Sequence, residues 1–188
     1  MNHDLAEMDT LDIFLSNISK DEYESIKHKI GHRKDKPMPL LSWGFFMEAY
    51  HRRIDEARKK TDLDTVLAFA RKFGWKNELQ DTFDEQDYEA LIITDKDQKI
   101  IWVSDGFTSM TGYTRSFAVQ RTPRFLQGEL TSEETKQRIK TNLALDKPFK
   151  EVIINHRKDN SPYKCEVQIV PLYSNKTTHF IAFERQVV

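Results

Sequence analysis

The sequence predicts an α+β fold with two regions, a helical one at residues 1–85 and a mixed one at residues 86–188. In the first region, apolar residues recur at the spacing of helices. After Asp87 the chain changes to short runs rich in β-branched residues, separated by polar turns. Long strands joined by tight turns at the end of the chain indicate an antiparallel sheet with its helices on one face.

Four helices are expected in the helical region. Their apolar stripes are Leu5, Met8, Leu11 and Leu15; Tyr23, Ile26 and Ile30; Leu41, Phe45, Ala49, Tyr50, Ile54 and Ala57; and Leu63, Val66, Leu67, Ala70 and Phe73. A basic loop with two prolines, residues 32–39, separates the second helix from the third. Thr61 or Asp62 is the expected N-cap of the fourth helix, and Gly74 is its stop signal.

The third helix begins with Trp43, Phe45 and Phe46, and its stripe is too aromatic to face water. It is expected to pack on the mixed region, on the neighbouring helices or on a second copy of the chain. An intramolecular core and a symmetric homodimer both remain open.

The mixed region reads as a series of strands and short helices. Strands are predicted at residues 90–94, 99–104, 149–156, 163–173 and 178–187, and helices at 105–111 and 132–145. Gly112 ends the first of these helices, and Ser132 caps the second, with acids in its first turn, where the helix dipole favours them.

Four motifs in the mixed region resemble the PAS domain family. They are ITDKDQKIIWVS at 93–104, F-x-x-M-T-G-Y at 107–113, T-P-R-F-L-Q-G at 122–128 and INHRKDNSPYKCEVQIVPL at 154–172. In the last motif Asn160 stands where the family usually has glycine, and asparagine tolerates that left-handed turn position. The resemblance implies a five-stranded antiparallel sheet with helices on one face, and a sensory or regulatory module that acts through protein–protein interaction.

PAS domains enclose a cavity that relatives fill with flavin, haem, small metabolites or nothing. If this chain holds a ligand, the resemblance implies that its site is lined by Arg124, Gln127, Asn155, Cys165 and Glu184.

The light-oxygen-voltage branch of the family binds flavin, and its motif G-R-N-C-R-F-L-Q aligns with Q-R-T-P-R-F-L-Q in this chain. Pro123 stands where that branch keeps its photoreactive cysteine, so the usual photocycle is excluded. Thr122 and Cys165 replace asparagines, and Glu184 replaces a glutamine. An ionised carboxylate accepts hydrogen bonds but does not donate them, so it is the wrong complement for the flavin ring. A cavity without a chromophore is expected, and a non-photoactive flavin sensor is the alternative.

Haem and metal sites are not expected. The helix at 132–145 lacks the histidine that haem-binding relatives commonly place there, and His156 and His179 fall near strand ends. The six histidines show no paired spacing. Cys165 is the only cysteine, which excludes an intramolecular disulfide; a small core residue is the expected role, with redox sensing as the alternative.

Composition and motifs also restrict the class of function. The formal net charge of −1 gives no bulk attraction to nucleic acid or anionic membranes. The first ten residues do not form a secretory signal, and no stretch has the roughly 20 apolar residues of a membrane span, so a cytoplasmic protein is expected. The sequence contains no phosphate-binding glycine loop, G-x-S-x-G elbow or H-E-x-x-H motif, and no enzyme is predicted.

A DNA-binding regulator is the alternative from another class. Ala70 and Gly74 have a spacing seen in helix-turn-helix units. The residues that would form the recognition helix continue as QDTFDEQD, whose acids would repel phosphates. Close packing at Ala70 and a helix end at Gly74 are therefore the preferred interpretation.

Overall fold

The structure, a computed structural model, describes residues 39–187, with side chains from residue 47 onward. The stripes predicted between Leu5 and Ile30, most of the 32–39 loop and the side chains of Trp43, Phe45 and Phe46 lie outside the described residues. The chain divides into two compact units, Met1–Ala57 and Arg58–Val188.

The described chain alternates helices and strands. The α-helices are α1 (Pro39–Phe73), α2 (Leu79–Asp84), α3 (Asp105–Thr111), α4 (Arg115–Ala118) and α5 (Glu133–Ala144). The strands are β1 (Ala90–Asp95), β2 (Ile100–Val103), β3 (Phe149–His156), β4 (Pro162–Tyr173) and β5 (Thr177–Val187), and a 3₁₀ helix spans Pro123–Leu126.

The five strands form one antiparallel sheet in the order β2-β1-β5-β4-β3. This confirms the predicted fold class. The turn predictions are confirmed as well: Gly112 has a φ of 76° and Asn160 a φ of 66°, both in the left-handed region. The Ser132 side chain caps α5 by accepting a hydrogen bond from the backbone N–H of Thr135.

One helix boundary was predicted wrongly. The sequence predicted a new helix capped by Thr61 or Asp62, but α1 runs without a break from Pro39 to Phe73. No glycine or proline interrupts the chain at this point, and Asp62 is buried beside Tyr88, so it does not cap a helix end. Gly74, with a φ of 67°, does follow the last residue of α1 as predicted.

The sheet of the second unit is covered on both faces. On the inner face, α3, α4, the 3₁₀ helix and α5 contribute Phe107, Met110, Ala118, Leu126 and Ile139 to a cluster with Ile92, Ile153 and Val167. On the outer face, the C-terminal part of α1, the loop that follows it and α2 contribute Val66, Phe73, Trp75, Leu79 and Phe83 to a cluster with Leu91, Ile181 and Phe183. The helices internal to the mixed region therefore do lie on one face, and α1 and α2 cover the other.

Residues 66–79, which include the helix-turn-helix-like spacing, supply side chains to this outer-face cluster. Val66 and Leu79 are almost fully buried, and Ala70 packs against the cluster. The helix that follows, α2, is only six residues long and carries Asp81 and Asp84. The close-packing interpretation of Ala70 and Gly74 is thus confirmed.

Candidate functional site: a cavity on the inner face of the sheet

A cavity of about 460 Å³ lies between the inner face of the sheet, the 3₁₀ helix and α5. This volume falls within the range of pockets that hold small organic molecules. Apolar side chains form much of its wall: Ile92, Leu126, Ile139, Leu143, Ile153, Val167, Ile169, Phe180 and Ala182. The strands contribute alternate residues because successive side chains of a strand point to opposite faces.

Four of the five predicted site residues line this cavity. Asn155 comes from β3 and Glu184 from β5, and both are at least nine-tenths buried. Arg124 lies in the 3₁₀ helix and Gln127 directly follows it, closer to the cavity mouth. The structure therefore brings these four together, and their binding of a ligand stays a prediction.

Cys165, the fifth predicted residue, does not line the cavity. Its side chain is fully buried in the inner-face core, and its thiol lies 3.7 Å from the backbone oxygen of Glu166. Burial, together with the nearby charge of Glu184, raises the pKa of this thiol far above its usual value. Because the thiolate is the reactive form, this position favours the predicted role as a small core residue.

Glu184 is the most unusual polar group of the cavity. Its side chain is 4% exposed, and its Oε2 atom has no hydrogen-bond partner within the described part of the chain. Burial raises its pKa to about 7. Ala90 and Val167, its register partners on the neighbouring strands, have no side-chain donor to offer. A buried carboxylate without a donor is costly, so this wall of the cavity is chemically incomplete.

Sequence reasoning missed the polar residues that α5 and the β1–β2 hairpin bring to the cavity. They are Thr94, Gln98, Glu133, Lys136, Gln137 and Lys140. Lys136 pairs with Glu133 at 2.6 Å, whereas Lys140 and Arg124 make no ion pair among the described residues. The spacing of Lys136, Lys140 and Leu143 on one side of α5 was the available signal, because residues four and three apart share a helix face.

The outer face of the sheet holds a second group of buried polar side chains, where α1 contacts the strands. The indole N–H of Trp75 donates to Nδ1 of His179 at 3.3 Å, and the ring of Phe73 lies 4.3 Å from the His179 ring. Burial lowers the pKa of His179 and raises that of Asp62 to about 6. His179 thus serves in core packing at this contact.

Among the described residues, no three histidine, cysteine or acidic side chains lie close enough together to hold a metal ion. None of the described helices combines the length and the apolar character needed to cross a membrane.

The comparisons with known proteins agree on one family. A family model described as a PAS domain matches residues 89–186. The bacterioopsin transcriptional activator of Halobacterium salinarum is 33% identical over 96 residues, which are 50% of this chain and 14% of that protein. A blue-light photoreceptor of Listeria innocua is 33% identical over 101 residues, 52% of this chain and 40% of that protein. The chain thus spans less than half the length of these relatives.

A solved structure extends the similarity to the fold. The LOV domain of a blue-light-activated histidine kinase from Erythrobacter litoralis is 29% identical and superimposes with a TM-score of 0.51, covering 55% of this chain and 98% of that one. The residues matched by the family model, 89–186, include the five strands of the sheet, apart from the last residue of β5, and the residues that line the cavity.

Proposed function

Because the chain belongs to the PAS domain family and its matched relatives include a transcriptional activator and a blue-light photoreceptor, we propose that it is a non-catalytic sensory module. In this proposal, a small molecule in the cavity changes how α1 packs on the sheet. The observation that supports this most directly is the alternation along β5. Its residues Ala182 and Glu184 line the cavity, while Ile181 and Phe183 belong to the outer-face cluster that includes α1.

One strand therefore contacts both the proposed ligand and the proposed output helix. A shift of β5 by a ligand would displace its outer-face side chains, because close-packed cores accommodate even small shifts poorly. For such a shift to carry a signal, the ligand must bind one arrangement of α1 more tightly than another. The hydrogen-exchange experiment described below tests whether a ligand changes the packing of α1.

A flavin is the cofactor that relatives suggest, and the cavity residues do not fit its photoactive use. Pro123 lines the cavity where the light-oxygen-voltage branch has its cysteine, and Cys165 lies away from the lining. The oxidised flavin ring mostly presents hydrogen-bond acceptors at its polar edge, and an ionised Glu184 is itself an acceptor. We therefore propose a ligand other than flavin.

The downstream partner is proposed to be a protein in the cytoplasm. Asp81 and Asp84 on α2 and Asp87 beyond it would repel a nucleic-acid backbone. Self-association through α1 remains a prediction; in the described part of this helix Tyr50 and Ile54 are each about half exposed. Light scattering of the purified chain measures its molar mass and decides between monomer and homodimer.

The test of the sensory proposal is hydrogen exchange of the full chain, with native mass spectrometry of any molecule that copurifies. We expect a copurifying or added ligand to change exchange rates at residues 58–73 of α1, far beyond its contact residues. The cavity-filling variant Ala182→Trp should lose both the ligand and this response. Absence of any bound molecule, together with α1 exchange that no metabolite extract alters, would refute the proposal.

A further inference from the structure

The inner wall of the cavity contains a carboxylate oxygen that accepts no hydrogen bond from the described residues. Glu184 is buried and lines the cavity, and its Oε2 atom lacks a partner among the described residues. No ion pair in the described chain includes it. This oxygen is therefore available to a donor group of a molecule that occupies the cavity.

The surroundings of Glu184 restrict what that donor is. The walls near it, formed by Ile92, Val167 and Ala182, are apolar and suit a flat ring. An ammonium group would need several acceptors to replace its strong hydration, and these walls supply few. A delocalised amidinium needs fewer acceptors, because it is weakly hydrated and can donate two parallel N–H groups to the two oxygens of one carboxylate.

We infer that the cavity takes a ligand whose buried end is a cationic amidine-type edge, a carbon bearing two nitrogens with N–H groups on one side, and that the Glu184 carboxylate receives those N–H groups. This inference rests on the proposed function and names the ligand class for the same site. The positive charge of the edge compensates the buried carboxylate, which is the arrangement that makes a buried charge tolerable.

The basic side chains at the mouth do not oppose this assignment. Arg124 and Lys140 are exposed, so solvent screens their charge. Lys136 is already paired with Glu133. The other carboxylate of the lining, Glu133, is exposed and is the partner of that lysine, which leaves Glu184 as the buried carboxylate of the lining.

The probes are benzamidine and acetophenone, which have the same shape and differ in that only benzamidine carries N–H donors and a charge. Each is titrated to millimolar concentration into the ¹⁵N-labelled full chain, and the shifts of backbone amides lining the cavity are followed. Glu184→Gln removes the charge of the acceptor at nearly constant volume. Glu166→Gln is the matched control, since Glu166 is on β4 and pairs with Arg185 and Lys150 on the other side of the sheet.

We expect benzamidine to bind the native chain at least about tenfold more tightly than acetophenone, as a charge-assisted pair requires. Glu184→Gln should weaken benzamidine about tenfold or more, and Glu166→Gln should leave it unchanged. Because benzamidine stays protonated, its affinity should rise about tenfold from pH 6 to pH 8 as Glu184 ionises, and the Glu184→Gln variant should lack this rise.

Equal binding of the two probes, or full benzamidine affinity in Glu184→Gln, overturns the assignment. If such a result is obtained while a copurifying molecule still alters α1 exchange, only the amidine-type assignment is refuted. The sensory proposal then stands. If the cavity binds neither the probes nor any metabolite and α1 exchange is unchanged, both the amidine-type assignment and the sensory proposal are refuted.

Discussion

At the scale of single residues, Glu184 is unusual because it is a carboxyl group buried in the wall of the cavity. Its ordinary carboxyl pKa of 4.5 rises to about 7 because the side chain is buried away from water. The folded state therefore holds a proton more tightly than the unfolded state does. The contribution of this proton to stability is fully present below about pH 4.5 and is lost as the pH rises toward 7.

The Glu184→Gln variant should reveal this loss. Glutamine carries no charge, so the variant should be more stable than the native chain at pH 8, by up to roughly 3 kcal/mol, and should show little gain at pH 4. Urea unfolding followed by circular dichroism at both pH values measures the difference. A gain of equal size at pH 4 and pH 8 would mean that the burial of charge is not its cause.

Residue identities explain why the sequence could place Glu184 in the site and could not describe its state. The resemblance to the family placed Glu184, Asn155 and Arg124 at pocket positions, and all three line the cavity in the structure. Whether the carboxylate finds a donor depends on Ala90 and Val167, which come from strands distant in sequence. The same resemblance placed Cys165 at the pocket, yet its side chain lies in the core and does not line the cavity.

At the scale of elements, the strands and the helices of the mixed region were predictable because local signals and tertiary packing agree there. The strand predictions differ from β3, β4 and β5 by at most one residue, and Gly112 and Asn160 adopt the backbone conformations that their types favour. The break in α1 was wrongly predicted because Asp62, a good cap by type, is instead used as a buried carboxyl. The short helices α2 and α4 carry too few periodic positions to be detected.

The start of α3 depends on a glycine that the close approach of β1 requires. A Cβ atom added at Gly106 would overlap the backbone oxygen of Glu89. We expect Gly106→Ala to destabilise the chain by about 2–3 kcal/mol, because neither backbone segment can move away cheaply. Thermal unfolding measures this.

Gly74→Ala is the matched glycine control. A Cβ at Gly74 meets nothing within 4 Å, but the φ of 67° penalises a side chain. The expected cost is only about 1 kcal/mol. Equal costs at the two positions would show that backbone conformation, and not the contact with Glu89, decides the outcome at Gly106.

The attachment of α2 to the sheet rests on aromatic packing. Phe83 is 7% exposed and meets Tyr88 and Phe183 edge to face, at ring distances of 5.7 Å and 5.2 Å. Phe83→Ala should therefore cost about 3–4 kcal/mol in the free energy of unfolding. Leu145→Ala, at a position 59% exposed, should change it by less than about 0.5 kcal/mol. Similar losses in both variants would contradict the outer-face core.

At the scale of the whole second unit, the sheet separates the inner-face cavity from the outer-face cluster. One side faces a cavity with an unsatisfied carboxylate, and the other is packed against the C-terminal part of α1. Family resemblance predicted the cavity side. It said nothing of the outer face, because the PAS motifs begin only after the helical region ends and α1 packs there through residues such as Val66 and Phe73.

A cavity-filling substitution should separate the roles of the two sides. Ala182→Trp occupies the cavity from β5, next to Glu184. If β5 couples the faces, hydrogen exchange of residues 58–73 in α1 should change in this variant even without a ligand. Val152→Trp, at an exposed position of β3, is the control and should leave α1 unchanged. An identical exchange pattern in the native chain and Ala182→Trp would argue against coupling.

The pairing of Trp75 with His179 gives the protein an optical property of its own. Trp75 and Trp102 are both buried in the outer-face cluster, and the Trp75 indole donates a hydrogen bond to an imidazole. Once Trp43 is replaced by phenylalanine, every remaining indole belongs to the contact between α1 and the sheet. Movement of α1 away from the sheet would expose these rings to water and shift their emission to longer wavelengths. The native fluorescence of the chain would then report the position of α1, the helix proposed to carry the output, without any added dye.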